Sequence, residues 1–255
     1  DYINQVVSKG NLTNFKFKFD LDYFFSNFGK ATYHLDYPII HPNSLGIYRI
    51  ADGASKHVSV LLSGEGADET LAGYPRYYLF QSIYKKFFEI KFFFKNQKFF
   101  KKKNIHKLSN EDLYILFMEG EKDLKIIDKI YPDFSFLNAI DSRKKIFENI
   151  DETNQEKYLE YDRQVYLPPL LKRQDKMTMA FSIENRVPFL NYEFIRQTRD
   201  NYSLSSFLRH NYFDIRWKNI NSNTKIGLKK ISSQEISAKF SYRKKMGFPM
   251  PLEKI

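Results

Sequence analysis

A short apolar run that ends abruptly in a glycine-bearing acidic loop limits what this chain can fold into. Residues 58–62 (VSVLL) lead straight into Ser63-Gly64-Glu65-Gly66, and Asp68 and Glu69 follow at once. The run reads as a short buried strand and the next residues as a tight loop, with a helix opening near Ala67. Upstream, residues 15–19 (FKFKF) alternate apolar and basic as a strand does. Asp20 is placed to cap a helix over residues 21–33, and residues 45–55 read as a second helix. Strand, helix and strand in that order predict an α/β fold with parallel strands.

From about Pro75 the pattern is helical almost throughout. Helices are expected over residues 76–94, 110–119, 134–149 and 154–179, with Pro168 and Pro169 bending or restarting the last. Residues 200–241 are polar and weakly periodic, and no order is assigned to them. The expected organisation is one partial domain, with residues 1–75 as its sheet part and residues 76–255 as its mostly helical part.

Composition removes several chemistries. The chain has no cysteine, so disulfides, zinc–thiolate sites and a cysteine nucleophile are excluded from it. It contains no run of 18 apolar residues, so no transmembrane segment is expected. At 42% apolar it can build a core. The net charge is +11, and residues 85–103 (KKFFEIKFFFKNQKFFKKK) hold eight lysines against one glutamate. Lysine interleaved with phenylalanine can grip single-stranded nucleic acid or a lipid surface. The plainer reading, an amphipathic helix with its Phe face inward, is preferred, so no specific nucleic acid is expected as a partner.

Three stretches carry candidate chemistry. In the acidic loop, Gly64 and Gly66 let backbone N–H groups approach an anion, which suits a phosphate or an adenylate. Glu65, Asp68 and Glu69 are spaced to share one face of the first helical turn, where carboxylates hold magnesium or act as a base. Acids favoured at a helix N-terminus for dipole reasons are the plainer alternative. The second stretch, residues 166–195 (YLPPLLKRQDKMTMAFSIENRVPFLNYEFI), sets Arg173, Asp175, Lys176, Glu184 and Arg186 among apolar residues. That pattern predicts an internal ion-pair network. The third, residues 241–252 (SYRKKMGFPMPL), holds Lys245 beside a Gly-Phe-Pro turn, where a fixed cation could stabilise charge in a transition state.

Taken in order, SGEGADE with GYPRY, LLKRQDKMTMAFSIENRVPFL and RKKMGFPMP resemble the synthetase domain of glutamine-dependent asparagine synthetases, whose relatives include β-lactam synthetases and lasso-peptide cyclases. The resemblance runs from about His34 to the end and is weak between residues 85 and 155. It implies an adenine-nucleotide hydrolase-like (PP-loop ATP pyrophosphatase) parallel sheet, ATP and Mg2+ as cofactors, and a cytoplasmic location. The implied reaction adenylates the aspartate side chain, releases pyrophosphate, and forms the amide with ammonia derived from glutamine as AMP leaves. Residue by residue, Ser63 and Gly64 match positions against the nucleotide. Glu65 matches the glutamate at the reacting centre, and Asp68 an acid that holds magnesium. Lys245 matches the lysine that stabilises the adenylating transition state and pyrophosphate. Glu184 matches an acid of the base pair in β-lactam synthetases, and in an asparagine synthetase it is expected to be structural.

The chain also departs from the family pattern. The pyrophosphate-binding Ser-Gly-Gly-x-Asp-Ser loop and the N-terminal glutaminase domain are not found in it. Ala72 replaces a usual glycine, and His41 and Asn191 replace usual aspartates. The expectation is an N-terminally truncated synthetase domain that is weakly active or inactive in isolation. An amidotransferase acting on another carboxylate (a sugar acid, a peptide or a β-lactam precursor) and a degenerate, non-catalytic module stay open, as does a homodimer.

Overall fold

The structure is a computed structural model that describes residues 2–80, 109–119, 126, 129–131, 136–150, 156–207 and 224–243. The expected 76–94 helix beyond residue 80, the Lys/Phe-rich segment 85–103 and Lys245 lie outside the described residues. The chain divides into two compact units, Asp1–Gly73 with Arg163–Ile255, and Tyr74–Asp162.

In the first unit, α1 covers Tyr2–Gly10 and α2 covers Leu21–Leu35. Asp20 caps α2 by accepting from the Tyr23 amide at 3.0 Å, and left-handed Asp36 (φ 64°) closes it. Helix α3 is Asn43–Ala54 and strand β1 is Val60–Leu62. Phe24, Ala31 and Leu35 of α2 pack with Leu45 and Tyr48 of α3 and with Met177. Each large apolar side chain buried there contributes about 1.5–3 kcal/mol.

The FKFKF stretch forms no strand. Its alternation is still physical: Phe17 lies against Gly53, where a Cβ would come within 2.4 Å of the ring, and Phe19 joins the α2 core. The Lys18 carbonyl accepts from Arg49 Nε at 2.8 Å. Phe17 and Phe19 turn inward as the alternation requires while Phe15 stays exposed, and a side chain of α3 rather than a neighbouring strand meets that carbonyl.

The chain then gives α4 (Ala67–Thr70) and, in the second unit, α5 (Pro75–Leu79), α6 (Asn110–Glu119), α7 (Phe136–Glu148) and α8 (Lys157–Tyr161). Tyr114, Ile115, Leu116, Phe147 and Tyr161 are buried in that unit, and Phe147 stacks on Tyr161 with ring centres 4.1 Å apart. Buried Asp162 accepts through Oδ2 from Tyr77 and Tyr114 hydroxyls at 2.6 and 2.9 Å and from Arg76 Nε at 2.8 Å.

The helix expected over 154–179 is interrupted as its prolines require. Residues Asp162–Tyr166 form a π-helical turn, and α9 (Leu167–Met179) restarts with proline in its first turn. Two successive positions without an N–H cannot carry the i→i−4 ladder, so the helix widens ahead of them. After α9 come β2 (Glu184–Arg186), a 3₁₀ turn (Pro188–Leu190), α10 (Tyr192–Asn201), α11 (Leu204–Phe207), α12 (Ile226–Glu235) and α13 (Ala238–Ser241).

The sheet is small and parallel. Strand β1 pairs with β2 in the register Val60↔Glu184, Leu61↔Asn185, Leu62↔Arg186. The second strand thus comes from the mostly helical part of the chain. Helices α3 and α9 each precede a strand through a short connection, residues 55–59 and 180–183, and so run back along it. Ala51 and Ala54 of α3 pack on Ile183, while Gln174 of α9 donates to Asn185 Oδ1 at 3.2 Å. The N-terminal ends of both helices therefore lie towards the carboxyl ends of the strands.

Candidate active site

Strand β1 delivers the acidic loop to the carboxyl end of the sheet, the side on which open α/β folds bind ligands. The Ser63 amide donates to the Arg186 carbonyl at 2.9 Å, which extends the pairing one residue past β1. Gly66 turns the chain at φ 82°, a region glycine enters without strain. It also meets Leu190: a Cβ there would lie 2.2 Å from Leu190 Cδ2. Thr70 Oγ1 donates to the Phe189 carbonyl at 3.2 Å. The opening loop and the ENRVPFL segment, 121 residues apart from Ser63 to Glu184, are thereby one structural object.

The three loop carboxylates do not share a face. Glu65 sits before α4 and is partly exposed, with its amide 3.5 Å from Ser63 Oγ. Asp68 is partly exposed, whereas Glu69 is 1% exposed and its carbonyl accepts from Arg163 Nη1 at 3.2 Å. A four-residue helix turns so tightly that adjacent acids point to opposite environments. Ala72 holds a left-handed φ of 53°, and Gly73 leaves room for Asp68, whose Oδ1 would lie 1.8 Å from a Cβ at that position.

Asp68 has a partner that sequence reading missed. Lys225 Nζ stands 2.9 Å from Asp68 Oδ1, with both side chains largely covered. Lys225 is the residue before α12 and has a left-handed φ of 51°. No local sequence signal announces it, because the pair spans 157 residues and the backbone there suits glycine better than lysine. Among the described residues, no three carboxylate or histidine side chains gather to hold a metal ion. Magnesium would thus find two partly exposed loop carboxylates at most, Glu65 and the Lys225-paired Asp68, which fits only an ion carried mainly by substrate phosphates.

The second stretch is not an internal ion-pair network. Lys176 of α9 pairs with Asp36 beyond α2, and Glu184 pairs with Arg186 in its own strand at 2.8 Å, where both are exposed. That contact holds the Glu184 carboxyl below its ordinary pKa. Arg173 is buried and donates to the amide oxygen of Asn43 at 3.1 Å rather than to a carboxylate. Glu184 lies at the amino end of β2, so the structure brings Ser63, Gly64, Glu65 and Asp68 together and leaves Glu184 about three strand residues, roughly 10 Å, away along the sheet.

The sequence profile of the asparagine synthase family matches residues 1–255. This chain belongs to the asparagine synthase family. It is 28% identical over 245 residues to asparagine synthetase (glutamine-hydrolyzing) 1 of Bacillus subtilis (strain 168), covering 88% of this chain and 35% of that protein. Putative asparagine synthetases of Mycobacterium bovis and Mycobacterium tuberculosis are each 26% identical over 253 residues, covering 91% of this chain and 36% of theirs. The chain therefore spans about a third of the length of the curated relatives it matches. No solved structure matches it. The family read from three motifs is the one the profile gives. Among the described residues no helix is long and apolar enough to cross a membrane.

Proposed function

We propose that this chain carries part of the active site of an ATP-dependent carbon–nitrogen ligase that makes asparagine from aspartate and glutamine-derived ammonia, in the cytoplasm. The observation that supports it most is the joining of SGEGADE to ENRVPFL at the carboxyl ends of two parallel strands, in a member of the asparagine synthase family. The strand pair would belong to an adenine-nucleotide hydrolase-like sheet.

The proposed chemistry runs in two steps. An aspartate side-chain oxygen attacks the α-phosphorus of ATP, and pyrophosphate leaves. Ammonia then attacks the acyl carbon, AMP leaves, and the surplus proton of the attacking nitrogen passes to a carboxylate. Ser63 and Gly64 would lie along the nucleotide. A Cβ added at Gly64 would meet nothing within 4 Å, so the backbone there is open to close approach. Glu65, at the mouth of the loop, would take the proton. Asp68 would hold Lys225 towards the site, and Lys225 with Lys245 would offset the charge that grows on the phosphate oxygens. Magnesium, where bound, supplies further neutralisation from Asp68. Glu184 would hold Arg186, whose carbonyl fixes Ser63, rather than touch the reactants.

The direct test is product analysis with the natural full-length protein. Aspartate, ATP and ammonium should yield asparagine and AMP in equal amounts. Formation of ADP and phosphate, or no amide with aspartate, would overturn the reading.

A further inference from the structure

A second feature lies on the ligand side of the sheet and is not used by the chemistry above. Between the segment joining α2 to α3 and the first turns of α9 is a cavity of about 140 Å³. Leu35, Tyr37 and Leu170 form apolar walls, and His41, Ser44 and Arg173 supply the polar groups. No carboxylate is among its lining residues.

Arg173 is the unusual member. It is only 7% exposed, and its Nε, fully buried, has no acceptor among the described residues. Its one described hydrogen bond goes from Nη1 to a neutral amide oxygen, Asn43 Oδ1. A buried guanidinium normally has an anion beside it, because a desolvated charge without one is costly. The N-terminus of α3, a 12-residue helix, adds partial positive charge on the same side, since Ser44 sits in its first turn and Pro42 provides no side-chain cap. Guanidinium and imidazole against apolar walls match a carboxylate on a short carbon chain, while the Ser44 hydroxyl donates to the His41 carbonyl at 2.7 Å. The volume is too small for a nucleotide, whose class of pocket runs to roughly 300–1,000 Å³.

We propose that this cavity binds the carboxylate of a small organic acid, with Arg173 as its counter-charge. Assigning that carboxylate to the amide acceptor, as the group that does not react, rests on the ligase reading; the binding itself does not. Arg173 then acts as a specificity residue that selects acceptors with a second acid group.

The test is calorimetric titration of the chain with L-aspartate, succinate, acetate and inorganic phosphate, using wild type, Arg173→Gln and Leu170→Phe. L-Aspartate or succinate should bind once per chain, and Arg173→Gln should weaken binding about tenfold or more. Leu170→Phe keeps the charge, fills the cavity from the same helix one turn before Arg173 and should also weaken binding, which decides the matter if Arg173→Gln fails to fold. Carboxylate binding that both folded variants leave unchanged, no carboxylate binding to wild type, or a preference for phosphate would overturn the proposal. In the full-length protein, Leu170→Phe should raise the KM for the acceptor while leaving kcat. Carboxylate binding that tracks Arg173 in a protein without ligase activity would keep the cavity and discard the ligase reading. Ligase activity with binding and KM unmoved by either variant would do the reverse. Acetate binding as well as aspartate, without competing against the acceptor, would keep the cavity and make its occupant a free carboxylate.

Discussion

Gly66→Ala tests whether the acidic loop and the Pro188–Leu190 turn are packed as described. Two costs add. A side chain at φ 82° enters the left-handed region, at about 1–2 kcal/mol. The new Cβ would fall 2.2, 2.3 and 2.9 Å from three Leu190 atoms, so the turn must give way by about an ångström or more, an overpacking cost of about 1–3 kcal/mol. The sum, about 2–5 kcal/mol, corresponds to a fall in Tm of roughly 4–20 °C for a unit of this size. Thermal unfolding followed by circular dichroism reads the total, and a double-mutant cycle with Leu190→Ala separates its parts. Leu190→Ala in the Gly66→Ala background should relieve the steric part and leave the backbone part, giving a coupling energy of about 1–3 kcal/mol. Additivity within about 0.5 kcal/mol would mean that residues 66 and 190 do not meet, and the joined loop would be wrong.

Further outcomes follow from the same geometry. Ala72→Gly should stabilise the chain by about 0.5–1 kcal/mol, because φ 53° strains alanine by more than glycine's added chain entropy costs; a drop in Tm would contradict the backbone assigned there. Asp162→Asn removes the anion that Arg76, Tyr77 and Tyr114 share and should cost about 3–5 kcal/mol, seen as faster amide exchange in α6 and α7; protection left intact would refute the network. Burial, and then the Arg173 charge, hold His41 below its ordinary value of 6.5, so the unfolded chain binds more protons near that pH. The stability this gives is present above 6.5 and is lost as pH falls through the lowered folded value. An NMR titration should place His41 below 6.5, and Arg173→Gln should move it part of the way back; a wild-type value at or above 6.5 would contradict the geometry.

Local chemistry made much of the fold legible. Asp20 announced α2 because its cap is satisfied within three residues, and the 110–119 and 134–149 patterns are α6 and, to within two residues, α7. Pro168 and Pro169 announced the restart of α9 because a missing N–H acts wherever it stands. Pairing across long separations was not legible. Glu184-Asn185-Arg186 carries no strand signal, and becomes a strand only because β1 offers it a partner. FKFKF has the strand signal and no strand partner among the described residues. At the site, the motifs gave Ser63 to Asp68 as a group, but not that Glu69 turns inward or that Lys225 meets Asp68. Those outcomes depend on how tightly α4 turns and on a backbone φ that lysine does not advertise.

The measurement closest to the central claim is acceptor-dependent exchange of labelled pyrophosphate into ATP by the full-length protein, beside amide formation by the same samples. Exchange should require aspartate, vanish in Lys245→Ala, and persist in Glu65→Gln while asparagine formation is lost, because the role proposed for Glu65 begins only after adenylation. Exchange that survives Lys245→Ala, or that disappears together with amide formation in a folded Glu65→Gln, would contradict the roles proposed for Lys245 and Glu65.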